Sequence, residues 1–299
     1  MDIKFSINSE LIDNTQLIKL CILGKNSKYI FNFITNNGDL ISNQWFDDAG
    51  DFCNGFAKVE LDGKGWNFLS TEGKIISDDQ WFDTVWEFYN GFAKVQLNDK
   101  WNYINTDGKL LCEHWFGDVW NFYNGFARVE LNDKYNFINT DGNFISDQWF
   151  DDAWNIVNGF AEVKLNNKYN FLSIDGKYLS DQWFDFVGNC FDGFVRVKLN
   201  DKWNLINSFG ILISDQWFVW VGNFEEGFAW VKLKDKYNFI NTDGNFISDQ
   251  WFDEVGYFFD GLARVKLIDK GWNFINTEGK LISEQWFYKV GDNNLNKKK

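Results

Sequence analysis

Proline is absent from the chain, histidine occurs once, at His114, and no apolar run approaches the length of a membrane span. In a chain rich in Asn, Lys, Ile and Phe, the missing proline is consistent with an AT-rich genome as much as with a structural demand. A lone histidine has no partner for metal binding or acid–base chemistry; at "EHWF" it stands where other copies of the motif carry Gln, and is read as a solvated substitution. Cysteine is sparse. Cys21, Cys53, Cys112 and Cys190 show no C-x-x-C spacing, so neither a zinc site nor a disulfide framework is expected. None has a His or an acid at an activating spacing, and all are read as small hydrophobes. Basic residues number 29 against 43 acidic ones, a net charge of −14, which argues against binding a phosphate backbone. The "NKKK" at 296–299 is too short to reverse that balance, and 292–299 is expected to be a disordered basic tail. No glycine-rich phosphate loop is present and no cofactor is expected. The N-terminus lacks the basic start and apolar run of a signal peptide, so an intracellular, reducing setting is the default. Neither nucleic acid nor membrane is an expected partner.

Aromatic residues, by contrast, make up 20% of the chain, with 33 Phe and 17 Trp, within a composition that is 45% apolar and 24% charged and therefore globular. The excess is periodic. A Gly-Phe or Gly-Leu step recurs at Gly55, Gly91, Gly125, Gly159, Gly193, Gly227 and Gly261, and a Trp at Trp45, Trp81, Trp115, Trp149, Trp183, Trp217, Trp251 and Trp286. A further glycine recurs from Gly38 to Gly279, and the spacing in each series is 34 to 36, most often 34. Residues 17–42 are a worn first copy without its own Gly-Phe step. The repeat units fall near 16–50, 51–86, 87–120, 121–154, 155–188, 189–222, 223–256 and 257–291.

In "GFARVELNDKYNFINTDGNFIS" (125–146), Ala127, Val129 and Leu131 alternate with Phe126, Arg128 and Glu130, the period-2 signal of a strand. "NDK" reads as a tight turn, "YNFIN" as a second strand, "NTDG" as a turn needing glycine at positive φ, and "NFIS" as a third strand. "DQWFDDAWNIVN" reads as an irregular arm. The expected fold is one all-β domain, 1–291, of eight three-stranded units of about 34 residues forming an open curved or superhelical stack. An eight-bladed β-propeller is the alternative, disfavoured because propeller repeats run nearer 40–50 residues.

The 125–146 stretch resembles the WG-repeat (KWG-repeat) family, and the resemblance covers about residues 16–291. The family occurs in bacteria and in giant DNA viruses of the mimivirus type, which would allow a cytoplasmic or viral-particle location. It implies no common enzymatic activity, and its members are mostly binding or scaffolding repeats. One departure is systematic: the family's Trp-Gly is here aromatic-Asn, giving Asn67, Asn102, Asn136, Asn170, Asn204, Asn238 and Asn273, with Asn32 in the first copy. By strand alternation Asn136 shares a face with Ile138. If that face is the inner one, each Asn must bond the backbone of a neighbouring strand or turn.

"SDQWFDDAWNIVNGFAEV" (146–163) sets tryptophans beside Asp151 and Asp152, the ingredients of a sugar-cleaving site. Adjacent residues of an extended chain point to opposite faces, however, and the pair is diluted across copies, with Val219-Trp220 holding neither acid. No catalytic residue and no metal ligand is assigned. The Trp series is read as structural, plugging one unit onto the next, with a sugar-stacking row as the alternative. Trp86, Trp120, Trp154, Trp220 and Trp230 lie outside that rule and form the candidate contact surface. The expectation is a non-enzymatic binding or structural scaffold for another macromolecule, a protein in the first instance and a carbohydrate in the second.

Overall fold

The structure, a computed structural model, describes residues 4–6, 11–12, 15–24, 28–77, 80–191 and 193–290. The basic tail at 292–299 lies outside the described residues. Two compact units divide the chain: Met1–Gly159 with Ile174–Gly176, and Phe160–Ser173 with Lys177–Lys299.

Alternation of small apolar and polar residues around left-handed turns produces one motif over and over. Its clearest copy joins Asp118–Val119, Phe126–Leu131 and Lys134–Asn139 in an antiparallel sheet. The second and third strands are linked by Asn132 and Asp133, with φ of 53° and 59°. Two consecutive residues at positive φ make the turn whose twist matches a hairpin, and Asn and Asp tolerate it best after glycine. Asn124 and Gly125 (φ 49° and 84°) make a second such turn ahead of Phe126. Seven three-stranded sheets of this kind follow a first, four-stranded sheet made from Lys4–Ser6, Leu11–Ile12, Thr15–Leu23 and Tyr29–Thr35. No helix occurs among the described residues. The fold is a tandem array of eight all-β units.

The third strand of each sheet is not the one the sequence suggests. "NFIS" forms no strand; Phe144 makes a single bridge to Ile138. The strand is supplied by the arm, as Asp118–Val119 opposite Glu130 and Val129. Each sheet therefore begins before the unit boundary read from the sequence, with Asp118–Val119 falling in the expected unit 87–120. Of the "NFIS" carbonyls, that of Ser146 accepts from the Asn136 amide and that of Asn143 from the Asn139 N–H.

The strand Lys134–Asn139 is buried on both faces, Asn136, Phe137 and Ile138 being buried in succession. The cores explain why. Phe68, from one sheet, packs with Phe82, Val85, Ala93, Val95 and Ile104 of the next. Tyr103 does the same with Phe116, Val119, Ala127, Val129 and Ile138, and in the second compact unit Leu205 and Phe239 repeat the pattern. A core is thus shared between consecutive sheets, and neither sheet could bury it alone. The turn glycine serves the same contact. Gly142 has φ 82°, and a Cβ there would lie 2.3 Å from the carbonyl oxygen of Leu111 in the preceding repeat. Gly125 has φ 84° with nothing within 4 Å of its Cβ position. One glycine answers to backbone conformation alone, the other to conformation and close approach.

Candidate functional site

Asn32, Asn67, Asn102, Asn136, Asn170, Asn204, Asn238 and Asn273 are all fully buried. The Asn136 amide donates to the carbonyls of Ser146 (2.7 Å) and Gln148 (3.3 Å), while its Oδ1 accepts the N–H of Phe137 at 2.8 Å. Asn170 does the same with Ser180, Gln182 and Phe171. Asn102 reaches Cys112 and His114 by their backbone carbonyls. The bond to that position is made to a backbone oxygen, which Gln and His both supply, and the His114 side chain is exposed.

The Trp at Trp45, Trp81, Trp115, Trp149, Trp183, Trp217, Trp251 and Trp286 is half-buried in every copy. Trp81, Trp115, Trp149, Trp217, Trp251 and Trp286 pack against the core of the preceding sheet. The deeper plug is the following phenylalanine, which sequence reasoning passed over: Phe46, Phe82, Phe116, Phe150, Phe184, Phe218 and Phe252 are each 1% exposed or less. Both residues of "WF" are large and apolar, and only the direction each takes from the chain separates them.

The carboxylates of 151–152 are occupied locally. Asp151 pairs with Lys134, and Asp152 accepts the N–H of Ala153 at 2.9 Å. Lys168–Asp185 and Lys236–Asp253 repeat the first pairing, and both aspartates also accept a hairpin N–H, from Asn200 and Ile268. Those two lysines hold the carboxyls of Asp185 and Asp253 below the usual range. The acid after "WF" is a hairpin clamp. Among the described residues no group of three or more His, Cys, Asp or Glu could hold a metal ion, no helix is long and apolar enough to cross a membrane, and the four cysteines are free.

Of the five additional tryptophans, Trp86 is 52% exposed, Trp154 39% and Trp220 40%, whereas Trp120 and Trp230 are half-buried. Trp86, Trp120 and Trp154 hold the same place in successive repeats. Three residues on from each stand Tyr89, Tyr123 and Val157, exposed by 50%, 62% and 64%. Trp220 lies two positions out of that register and packs at 4.7 Å on Trp203. Trp230 comes from the neighbouring strand; its indole occupies the space beside Gly222, where an added Cβ would meet Nε1 at 2.6 Å. The structure therefore does not bring the five together. Three of them, with Tyr89, Tyr123 and Val157, hold matching places in successive repeats of the first compact unit, a row of aromatic and apolar side chains called the ridge below.

Trp120 is the best-supported member. The Arg128 guanidinium lies 3.8 Å from its ring centre, and Arg128 Nη1 donates to the carbonyl of Ala153 at 2.5 Å. The Tyr103 hydroxyl, on a ring 1% exposed, donates to the carbonyl of Trp120. Burial pushes the Tyr103 phenol up, far from ionising. Beside Trp120 opens a groove of about 420 Å³ whose apolar lining comes from Phe126, Phe137, Ile156 and Val157, with Tyr123, Arg128, Asn121 and Asn155 completing it. A pocket of this size suits one or two large side chains or a small ligand.

The family model described as WG containing repeat matches residues 33–64, 82–101, 103–135, 137–169, 218–237 and 239–272, more than half of the chain. No curated protein matches the sequence. Among solved structures, Hsv2 of Kluyveromyces lactis is similar at a TM-score of 0.30 and 10% identity, covering 90% of this chain and 94% of that one. BamB from Moraxella catarrhalis gives 0.26 and 10%, covering 79% and 86%. The WD40 β-propeller domain of Doa1 gives 0.26 and 10%, covering 74% and 89%. TM-scores this low carry no argument about arrangement or role.

Proposed function

Because the chain belongs to the family of WG containing repeats, we propose that it is a non-enzymatic scaffold that binds a protein partner through the aromatic ridge of its first compact unit. The observation that carries the reading is the exposure of Trp86, Tyr89, Tyr123, Trp154 and Val157, with the half-buried Trp120 among them, at matching places in three successive repeats. Core packing does not call for large apolar groups there, since Gly188, Gly222 and Gly256 hold the place of Trp86 in later copies. Contiguous exposed apolar surface in a folded protein marks a contact site, and Trp and Tyr are the residues that dominate such sites. An enzymatic reading has no support in the carboxylates, which clamp hairpins.

A carbohydrate ligand is the second reading, favoured by the Asn121 and Asn155 amides at the Trp120 groove. One experiment tests both. Wild type and a Trp86→Ala/Trp120→Ala/Trp154→Ala variant are used to capture proteins from the native source, and each is titrated with cellohexaose and chitohexaose while tryptophan fluorescence is followed. Proteins retained by wild type and lost from a folded variant support the scaffold reading. Identical captured proteins, or quenching by a glycan that the variant abolishes, would reject it.

A further inference from the structure

The ridge carries an unbalanced charge that identifies the chemistry of what it binds. Residues 1–159 hold 24 acidic against 12 basic side chains, whereas residues 160–299 hold 19 against 17. Twelve of the chain's fourteen net negative charges therefore fall in residues 1–159, the stretch that bears the ridge. Part of it is placed against the rules of sheet pairing. Asp118 stands directly opposite Glu130, and Asp48 directly opposite Glu60. Like charges facing each other across an antiparallel pair are destabilising. In the second compact unit the corresponding pair is Glu254 and Lys266, joined by an ion pair at 2.6 Å.

Asp118 and Trp120 lie two residues apart on one face, with Val119 turned into the core between them. Arg128 and Glu130 alternate in the same way on the adjoining strand about Val129, and the Arg128 guanidinium covers the Trp120 ring. Two facing carboxylates thus lie two residues along their strands from Trp120 and Arg128, which line the groove. Asp118 Oδ1 accepts the N–H of Val119 and Glu130 Oε1 that of Asp133. Among the described residues neither has an ion-pair partner, although Lys94 is near enough for its charge to feel Asp118.

We infer that the Trp120 groove and the Asp118–Glu130 pair together receive a basic protein segment in which Lys or Arg neighbours a large apolar residue. The apolar side chain seats against Phe126, Phe137 and Ile156, and the cation lies between the two carboxylates, relieving their repulsion. Burying an anchor inside a complementary charged rim is how such contacts gain both affinity and orientation. This inference rests on the protein-scaffold reading above and adds the sign of the partner's charge.

The test uses the full chain and three fluorescein-tagged decapeptides, alternating Lys-Leu, Glu-Leu and Lys-Ser, read by anisotropy. The expected result is binding of Lys-Leu, at least tenfold weaker binding of Lys-Ser, and none of Glu-Leu. Asp118→Asn/Glu130→Gln should weaken Lys-Leu at least tenfold, and Trp120→Ala should weaken it at least as much. Asp243→Asn/Asp249→Asn makes the same change in net charge on exposed residues of the second compact unit and should change binding less than twofold. Equal weakening by the two charge variants would reduce the effect to bulk electrostatics and overturn the inference. Absence of Lys-Leu binding, alongside proteins still captured in a Trp-dependent way, would also overturn it while leaving the scaffold reading standing. Glycan quenching abolished by Trp120→Ala would remove the scaffold reading and this inference together.

Discussion

Replacing Asn136 by alanine removes a side chain that satisfies three backbone groups at once. The N–H of Phe137 is buried and takes its acceptor from Asn136 Oδ1; leaving such a donor unpaired costs about 1–3 kcal/mol. The two amide bonds, to Ser146 and Gln148, are each worth about 0.5–1.5 kcal/mol. Those carbonyls belong to half-exposed and exposed residues that water can reach, so they add at the low end. The expected loss for Asn136→Ala is therefore about 2–4 kcal/mol. Asn170→Ala should cost less, about 1–3 kcal/mol, because Phe171 is only half-buried and its N–H can be rehydrated. Asn143→Ala, exposed in the "TDGN" turn, should stay within about 0.5 kcal/mol of wild type. Asn136→Asp adds a pH signature. The acceptor survives, but a carboxylate faces two carbonyl oxygens in a buried place, so its folded pKa rises above the unfolded one of about 3.9. The penalty is absent below that unfolded value and grows to its full size as pH rises through the folded pKa. Urea denaturation of the four variants, with Asn136→Asp measured from pH 3 to 8, reads all of this. Losses below about 0.5 kcal/mol at both Asn136 and Asn170 would refute the reasoning, as would an Asn136→Asp penalty that does not vary with pH.

Gly125→Ala should lose about 1–2 kcal/mol from positive φ alone, while Gly142→Ala should lose clearly more, since its Cβ would also strike the Leu111 carbonyl; denaturation midpoints of the pair decide. Tyr103→Phe removes the hydroxyl bond to the Trp120 carbonyl while keeping the buried ring, and should cost about 1 kcal/mol; an unchanged midpoint would show that the bond contributes nothing. Asp185 and Asp253 have depressed pKa values, so the stability they add is present above the unfolded carboxylate pKa and is lost as pH falls through the folded one. Asp185→Asn/Asp253→Asn should therefore lower the melting temperature near neutrality, with the difference from wild type closing as pH falls through the folded pKa, as melting curves between pH 2 and 7 would show.

The parts of the fold legible in the sequence were those with a period or an obligatory residue. Alternation over 126–131 and left-handed glycines gave the hairpins, and alternation along "YNFIN" put Asn136 on the face of Ile138. The strand at Asp118–Val119 was not legible, because two residues cannot display a period. "NFIS" was misread because it has strand composition; it makes a single bridge at Phe144, and its Ser146 carbonyl is bonded by the buried carboxamide ten residues earlier. The candidate site was half visible. Surplus tryptophan pointed to Trp86, Trp120 and Trp154, but Trp230 resembled them only in composition, its place being set by cross-strand pairing with Trp220–Val221 and the Gly222 that follows. The facing acids at 118 and 130 could not be seen before the register was known.

The outer edge of Lys134–Asn139 has a consequence beyond this sheet. Tyr135 exchanges both backbone bonds with Phe150, the Phe137 carbonyl accepts from Ile145, the Phe137 N–H is taken by Asn136, and Asn139 bonds Asn143. An open strand edge in an aromatic-rich chain is a template for amyloid-like growth, and many proteins guard theirs with proline or lysine. With no proline to act as gatekeeper, this chain saturates the edge from within, and the Asn carboxamide that holds the turn is also its defence against templated self-assembly.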